Sequence, residues 1–296
     1  MTHLRGTFMI LGAAFLWGVS ATAAKALLTQ HPDTVLVVQA RVTVSFLILL
    51  AVAAVVRPAV LRVSWRDLWK FALLGCIGIA GTNFTYYYTI RESTVATAIL
   101  IQYTAPLVVM SYEVWQGQER LTMPKVLAAV LSLGGCFLAV GGYDAGVLRI
   151  TPLALLTGIG SIAGFAFLTV FTRDVLRTHG VWTMAIYSIG FASLFWLIVN
   201  PPWRVVAGIT GADLLLPLVL LAVVSLLIPH SLYFSGLRRV APSRAIITST
   251  LEPVVAITSA ALFLGEYLQP LQILGAVVVL GAIVLLQFHP EEHHAA

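Results

Sequence analysis

Glu252 is the residue of this sequence whose type and position most strongly suggest chemistry. It lies near the middle of a long apolar segment, directly before Pro253. A charge at the centre of a hydrocarbon layer costs at least about 2.5–3.5 kcal/mol, so such a carboxyl group is a candidate for binding a proton or a cationic solute. Because proline removes a backbone hydrogen bond, the helix can bend here and open toward a cavity. The alternative is a protonated carboxyl group that bonds a neighbouring helix.

Arg41 is a second ionisable group inside an apolar segment, in the run that begins at Thr34. Its guanidinium group keeps its charge in proteins, so it requires a carboxylate, carbonyl or water partner. Two interpretations remain open at this point. Arg41 either anchors one helix to another or binds the carboxylate of a solute.

Aromatic and hydrogen-bonding side chains accompany these two charges in several apolar segments. Asn83 and Tyr87 are one helical turn apart, so they would point the same way. The set predicted to bind a substrate comprises Trp17, Arg41, Asn83, Tyr87, Gln102, Tyr103, His230, Tyr233 and Glu252. For the aromatic residues, packing between helices is the simpler alternative. Gln102 and Glu113 would share a helical face, although Glu113 could also extend its carboxylate to the membrane boundary.

The elements that must position these residues are predicted to be transmembrane helices. Of the 296 residues, 59% are hydrophobic and 10% are charged, whereas soluble domains average about 25% charged residues. A span needs about 20 apolar residues. Ten segments qualify, at 6–28, 34–56, 68–90, 94–116, 124–143, 152–172, 181–200, 214–237, 242–265 and 270–289. The sequence therefore predicts an all-α integral membrane protein with ten transmembrane helices.

The basic residues predict the orientation of these helices. With the N-terminus inside, the cytoplasmic side collects Arg5, Arg57, Arg62, Arg66, Lys70, Arg120, Lys125, Arg173, Arg177, Arg238, Arg239 and Arg244. The opposite side receives Lys25, Arg91, Arg149 and Arg204. This asymmetry follows the positive-inside rule and places both termini in the cytoplasm. The basic residues form no stripe of the kind that binds nucleic acid.

The sequence repeats itself at a spacing of 147 residues. The matching pairs include Tyr86/Tyr233, Arg91/Arg238, Pro106/Pro253, Glu119/Glu266 and Gly134/Gly281. Residues 1–145 and 146–296 are therefore predicted to form two halves of five helices each. Because five is odd, the second half crosses in the opposite sense, as in inverted-repeat transporters whose sites lie near the midplane. Pro106 and Pro253 are predicted to be equivalent hinges.

These patterns carry a family resemblance. The stretch 86–140 contains a tyrosine, a mid-helix proline, a Gly/Glu/Leu turn and a glycine-containing last helix, and 233–287 repeats this order with the turn Leu264–Leu268. Together with Ala14–Gly18, the pattern resembles the EamA-type branch of the drug/metabolite transporter superfamily. In the first half, the turn Gln116–Arg120 departs from the usual order by one position of its glycine.

The resemblance implies an inner-membrane secondary transporter that works by alternating access and exports amino acids, aromatic ones among the candidates. Drugs, sugars and nucleotide-linked solutes are alternative substrates. A membrane enzyme would need a paired acid/base or metal constellation at one depth, and a channel would need a filter or charge ring; the sequence shows neither pattern. No cofactor, metal or nucleic-acid partner is predicted. The expected partners are a small-molecule substrate and the lipid bilayer, with protons as a candidate coupling ion.

Overall fold

The computed structural model describes residues 2–30, 33–144, 146, 148, 150–208 and 212–288. Every regular element in these residues is helical. The expected half boundary at Ala145, the expected outer residue Arg149 and the expected last span residue His289 lie outside the described residues. The chain is therefore all-helical in the part that the structure describes.

The first half of the chain contains seven α-helices, with a π-helical segment between α3 and α4. They are α1 Thr2–Gln30, α2 Thr34–Val56, α3 Leu68–Leu73, the π segment Leu74–Gly81, α4 Thr82–Glu92, α5 Val95–Gln102, α6 Ala105–Trp115 and α7 Met123–Ala139. Short 3₁₀ turns at Pro58–Leu61 and Trp65–Asp67 connect α2 to α3. The second half contains α8 Pro152–Leu176, α9 Val181–Val199, α10 Pro202–Gly208, α11 Ala212–Ala222, the π segment Val223–Leu227, α12 Ile228–Leu237, α13 Pro242–Thr248, α14 Leu251–Leu264 and α15 Pro270–Phe288.

Within the described residues, eight helices are long and apolar enough to cross a membrane. The remaining two expected spans differ from these eight for physical reasons. Met123–Ala139 is a 17-residue helix, which is about 25 Å long and shorter than the roughly 30 Å hydrocarbon core. The stretch from α3 through α4 is continuous, but its second half carries Asn83, Arg91 and Glu92. The count of ten spans thus stays a prediction. The eight candidate spans are enough to identify a membrane protein.

Both spans that contain an expected hinge proline are interrupted just before it. α5 ends at Gln102 and α6 begins at Ala105, so Pro106 lies in the first turn of the new helix. In the second half, α13 ends at Thr248 and α14 begins at Leu251, two residues before Pro253. A proline in a first turn sacrifices no intrahelical bond. The face that Gln102 and Glu113 were expected to share is divided by the first of these interruptions.

The two π segments also occupy corresponding places in the chain. Adding 147 to the bounds of Leu74–Gly81 gives 221–228, which encloses Val223–Leu227. Pro229 follows the second segment and cannot donate to the carbonyl of Ser225, which explains the widened turn there. In the first segment, glycines allow neighbouring helices to approach: a Cβ on Gly75 would collide with the backbone of α9 at Ser188. π segments of this kind frequently mark functional sites.

Helices from the two halves pack against each other across the molecule. α1 lies against α12 and α14, and α7 lies against α15. Between α7 and α15, Gly135 and Gly275 face each other so closely that a Cβ on either would meet the other's carbonyl oxygen. Because hydrocarbon provides no hydrophobic drive between helices, such close backbone packing contributes much of their association. The resulting bundle surrounds a polar cavity between α1, α4, α5, α12 and α14.

Candidate functional site

A cavity of about 160 Å³ lies inside the bundle, and both Arg41 and Glu252 line it. It is lined by Trp17, Ser20, Ala21, Ala24, Arg41, Gly78, Ile79, Thr82, Asn83, Tyr86, Tyr87, Gln102, Tyr103, Phe165, Leu168, Ser225, His230 and Glu252. On α1 the wall runs from Trp17 to Ala24, toward the end of that helix that carries Lys25. The cavity therefore extends toward one end of the bundle, here called the Lys25 end.

The structure brings eight of the nine expected binding residues to this wall: Trp17, Arg41, Asn83, Tyr87, Gln102, Tyr103, His230 and Glu252. Tyr233 lies behind the wall and is fully buried. Its hydroxyl shares a 2.9 Å hydrogen bond with Thr169, and its ring centroid is 5.3 Å from that of Trp17. Tyr233 thus supports a wall residue rather than facing the cavity.

Arg41 enters the cavity from α2 and bonds side chains of both halves. Its Nη2 donates to Asn83 Oδ1 at 3.0 Å, and its Nη1 donates to Ser225 Oγ at 3.4 Å. Its buried Nε has no hydrogen-bond partner among the described residues. Among the described residues no carboxylate pairs with this guanidinium group. Both readings of Arg41 have support, since it links helices and also keeps one donor that bonds none of the described residues.

Glu252 faces the same cavity from the first turn of α14. Tyr103 lies at the interruption between α5 and α6, and its hydroxyl donates to Glu252 Oε2 at 2.7 Å. The same hydroxyl lies 3.3 Å from the carbonyl oxygen of Ser249, at the interruption before α14. The two helix interruptions therefore meet at one hydrogen-bonded point. Glu252 therefore bonds a neighbouring helix, as expected for a structural role. It also faces the cavity, as expected for a group that binds a proton or a cationic solute.

Asn83 and His230 are 147 residues apart and make the same backbone contact. Asn83 Nδ2 donates to the carbonyl of Ile79 at 2.6 Å, and His230 Nδ1 bonds the carbonyl of Leu226 at 3.0 Å. Both carbonyls belong to the π segments, whose widened turns leave oxygen atoms without the usual donor. Because a carbonyl only accepts, Nδ1 of His230 carries the hydrogen in this bond. Each π segment thus fixes the side chain that follows it at the cavity.

Aromatic rings form the apolar part of the wall. Trp17 contacts His230 edge to face, with ring centroids 5.4 Å apart. Tyr86 and Tyr87 meet in the same manner at 5.7 Å. Rings of this kind provide apolar contact area together with hydrogen-bonding edges. The cavity can therefore accommodate a solute that has both charged groups and an apolar portion.

Sequence reasoning did not select Ser225 and Thr82, which also line the cavity. Ser225 is the residue 147 positions after Gly78, another wall residue. Its contact with Arg41 depends on the π segment in which it lies. The repeat spacing contained a signal for Ser225, but a single serine in an apolar segment is more often bonded to its own helix.

Buried ionic groups occupy the other end of the bundle, here called the Lys125 end. Lys125 Nζ lies 2.9 Å from Glu119 Oε2, with side chains 4% and 3% exposed. Ser243, at the start of α13, donates to the same carboxylate oxygen at 2.5 Å. Nearby in sequence, Glu113 is buried and pairs with Arg173 at 3.0 Å instead of extending to the membrane boundary. These contacts tie the first half to the second where the cavity does not reach.

The residue 147 positions after Glu119 has a different environment. Glu266 pairs with Lys25 at the Lys25 end, and these side chains are 46% and 59% exposed. The two glutamates follow helix-ending glycines of the same conformation, Gly117 and Gly265, each with φ of 69°. The same local structure is therefore buried at one end of the bundle and exposed at the other.

The sequence of the chain matches a known protein family. The model of the EamA-like transporter family matches residues 4–141 and again residues 152–288. The chain belongs to the EamA-like transporter family. Among the described residues, no group of three His, Cys, Asp or Glu side chains is placed to hold a metal ion.

Curated EamA relatives align over most of the chain. An uncharacterised inner membrane transporter, YicL of Salmonella typhimurium, is 25% identical over 95% of both chains. The threonine/homoserine exporter RhtA of Escherichia coli is 31% identical over 70% of this chain and 66% of its own. An uncharacterised transporter of Archaeoglobus fulgidus is 29% identical over 71% of this chain and 74% of its own. The family match and these relatives identify the chain as a membrane transporter, and its eight candidate spans make it a multi-pass one.

A solved crystal structure supports the helical arrangement independently. It superposes with a TM-score of 0.77 over 96% of both chains, at 19% sequence identity. At this identity the likeness concerns the fold alone.

Proposed function

We propose that the protein exports amino acids or closely related small metabolites through the Arg41–Glu252 cavity by alternating access. The observation that carries the proposal is the presence of one cation and one carboxyl group in the same cavity without a bond between them. An amino acid presents the complementary pair. Its carboxylate would bind the guanidinium of Arg41, and its ammonium would bind the carboxyl group of Glu252. The exporter RhtA is named for threonine and homoserine, which are solutes of this class.

The aromatic wall supports a place for the side chain of the solute. Trp17 and Tyr87 can contact an apolar or aromatic group, while Gln102 and the Nε2 atom of His230 provide further hydrogen-bonding positions. A threonine-sized solute and an aromatic amino acid are both within this class. Arg41 and Glu252 would bind the carboxylate and the ammonium group that all such solutes share, whereas the aromatic rings would select among their side chains.

The asymmetry between the two bundle ends supports alternating access. The cavity extends toward the exposed Lys25–Glu266 pair, while the buried Glu119–Lys125–Ser243 contacts close the Lys125 end. With the orientation expected from the basic residues, this is an outward-facing state. The double family match, the paired helix interruptions and the paired π segments support two inverted halves of five helices. Pro106 and Pro253 would then act as the hinges, and protons remain the candidate coupling ion through Glu252.

A transport assay can separate the expected substrate class from its alternatives. Liposomes containing the purified protein are loaded with labelled threonine, and its release is competed with 1-amino-2-propanol, which lacks the carboxylate, and 3-hydroxybutyrate, which lacks the ammonium group. Charged hydrogen bonds contribute about 1.5–3 kcal/mol, so each analogue should compete at least about tenfold less well than threonine. Phenylalanine is tested in parallel for the aromatic class.

Two variants assign the charged ends. Arg41→Gln should reduce the advantage of threonine over 1-amino-2-propanol, and Glu252→Gln should reduce its advantage over 3-hydroxybutyrate. Asp174→Asn, a change at a half-exposed residue remote from the cavity wall, serves as the control. Release of a sugar or drug without any release of amino acids would contradict the proposed substrate class.

A further inference from the structure

An apolar groove lies on the outside of the bundle, apart from the central cavity. It runs between α2 and α9 and encloses about 500 Å³. Its walls include Phe46 and Leu50 from α2 and Tyr187, Leu194 and Leu197 from α9. Leu194 is 50% exposed, so the groove opens away from the protein interior. Both helices are among the candidate membrane spans, which places the open side in the hydrocarbon layer.

The length of the groove matches a lipid tail. Its α9 wall extends from Ile186 to Leu197, which corresponds to about 16 Å along a helix at 1.5 Å per residue. This is about the thickness of one leaflet of a bilayer whose hydrocarbon core is about 30 Å thick. At the floor, a Cβ on Gly190 would collide with the ring of Phe46, so the absence of a side chain on Gly190 allows the ring to lie directly against α9. The depression is therefore long, narrow and built by specific packing.

One end of the groove meets a basic connection. Leu61 closes this end, and α9 holds the connection through Thr183, which bonds the carbonyl of Val60, and Tyr187, which bonds that of Leu61. The next residue, Arg62, is exposed. Arg57, two turns beyond Leu50 at the end of α2, is exposed as well.

Neither Arg57 nor Arg62 forms an ion pair within the described part of the chain. Trp65 follows on the same connection and is 78% exposed, as is typical of residues at the membrane–water interface. A negatively charged group at this level of the membrane would therefore meet two cations near the Leu61 end of the groove.

We propose that this groove is a binding site for one anionic phospholipid. Its acyl chain lies between α2 and α9, and its phosphate-containing headgroup binds Arg57 and Arg62. The apolar walls alone would accept any lipid tail. The two arginines supply the selectivity for an anionic headgroup, since each basic residue near a membrane surface strengthens binding to anionic lipid severalfold.

Native mass spectrometry of the detergent-purified protein provides the test. Dioleoyl phosphatidylglycerol and dioleoyl phosphatidylcholine are titrated separately, and the first bound lipid is measured. The wild type should bind phosphatidylglycerol about tenfold more tightly than phosphatidylcholine. The double variant Arg57→Gln/Arg62→Gln should remove this preference and leave phosphatidylcholine binding unchanged. Leu194→Trp should fill the groove and weaken the binding of both lipids.

Arg238→Gln/Arg239→Gln is the matched control, because it removes two arginines from another connection. Leu194, Arg57 and Arg62 are all exposed, so the variants should unfold at the wild-type temperature when no lipid is added. Equal affinity of the wild type for the two lipids would overturn the proposal. It would also be overturned if the control lost its preference for phosphatidylglycerol to the same extent as Arg57→Gln/Arg62→Gln. A dimer that is lost in Leu194→Trp without a change in lipid binding would assign the groove to a second copy of the chain instead.

Discussion

Tyr103 makes the contact that distinguishes Glu252 from an ordinary buried acid. Its hydroxyl group connects the interruption of one half of the chain to the carboxyl group at the interruption of the other. Arg41 is held in a comparable way by Asn83 and Ser225, which come from different halves. Each charged group of the cavity is therefore fixed by contacts that a relative movement of the halves would change. A solute that replaces such a contact can favour one arrangement over the other.

The variant Glu252→Gln should separate the two readings of this residue. Glutamine keeps the size and much of the hydrogen bonding of glutamate but cannot carry charge. Loss of a charged contact worth about 1.5–3 kcal/mol predicts that transport falls at least about tenfold and that its dependence on pH becomes flatter. Tyr103→Phe should have a smaller effect of about fivefold, because it leaves the carboxyl group in place.

Transport by proteoliposomes between pH 5.5 and 8.5 measures both effects, and gel filtration verifies that each variant is folded. A glutamine variant with the wild-type rate and pH profile would assign Glu252 to helix packing alone.

At this scale the cost of burying charged groups in hydrocarbon pointed to Arg41 and Glu252, and the clustering of aromatic and polar side chains pointed to the others. Eight of the nine residues line one cavity, and their role in binding a substrate stays a prediction. The partners were harder to infer, because the contact between Arg41 and Ser225 depends on the turn geometry of Val223–Leu227. The partner of Glu113 could not be inferred for a related reason: Arg173 lies on a different helix, and sequence distance gave no indication of that contact.

At the scale of the elements, the π segments determine which residues face the cavity. A π turn adds one residue to the usual turn, so the helix that follows is rotated by about 100° relative to an uninterrupted α-helix. Asn83 and His230 both follow such a segment and bond back to it. The length and composition of the apolar segments predicted a continuous helix in both places, since a single additional residue changes neither. The interruptions beside Pro106 and Pro253 were more visible, because proline leaves a signal in the sequence.

Deletion of Ile77 should restore a regular helix and turn Asn83 away from Arg41. Ile77 lies in the first π segment and is 47% exposed, so its side chain contributes little to the core. Transport should fall more than tenfold, while Ile77→Ala should retain most of it because the turn is preserved. The thermal unfolding temperature of both variants shows whether the fold persists. If the deletion variant folds and transports like the wild type, the π segment does not position the cavity residues.

At the scale of the whole molecule, the unequal ends of the bundle indicate one state of a cycle. Glu119 and Glu266 stand 147 residues apart after similar helix ends, yet one is buried with Lys125 and the other is exposed with Lys25. Removing one partner of a buried ion pair is strongly destabilising, because the remaining charge stays without compensation. The Glu119 contacts should therefore stabilise the state in which the Lys125 end is closed.

Cysteine labelling can test this closure. In a background with Cys76→Ala and Cys136→Ala, Ser243→Cys should react slowly with an impermeant maleimide applied from the side of the N-terminus. Adding Glu119→Gln should accelerate this reaction by about tenfold or more, because the closed state loses a charged contact. Glu266→Cys, the corresponding position, should react readily from the opposite side.

Equal labelling of Ser243→Cys with and without Glu119→Gln would contradict the closing role. Labelling of both cysteines from the same side would contradict the inverted arrangement. The same experiment tests the orientation of the protein in the membrane. That orientation was inferred from the positions of the arginines and lysines, and the fold alone does not determine it.

The guanidinium group of Arg41, which forms no ion pair with the described residues, has an electrical consequence. When access to the cavity passes from one end of the bundle to the other, this fixed charge changes its position relative to the transmembrane voltage. Each elementary charge that crosses 100 mV corresponds to about 2.3 kcal/mol, and a partial crossing corresponds to proportionally less. A negative charge on Glu252 would offset the current, so Glu252→Gln should enlarge the charge displacement recorded on a solid-supported membrane, and Arg41→Gln should diminish it. The membrane voltage would then influence how often the cavity is open at each end of the bundle. Transport of a solute without net charge would therefore depend on voltage as well.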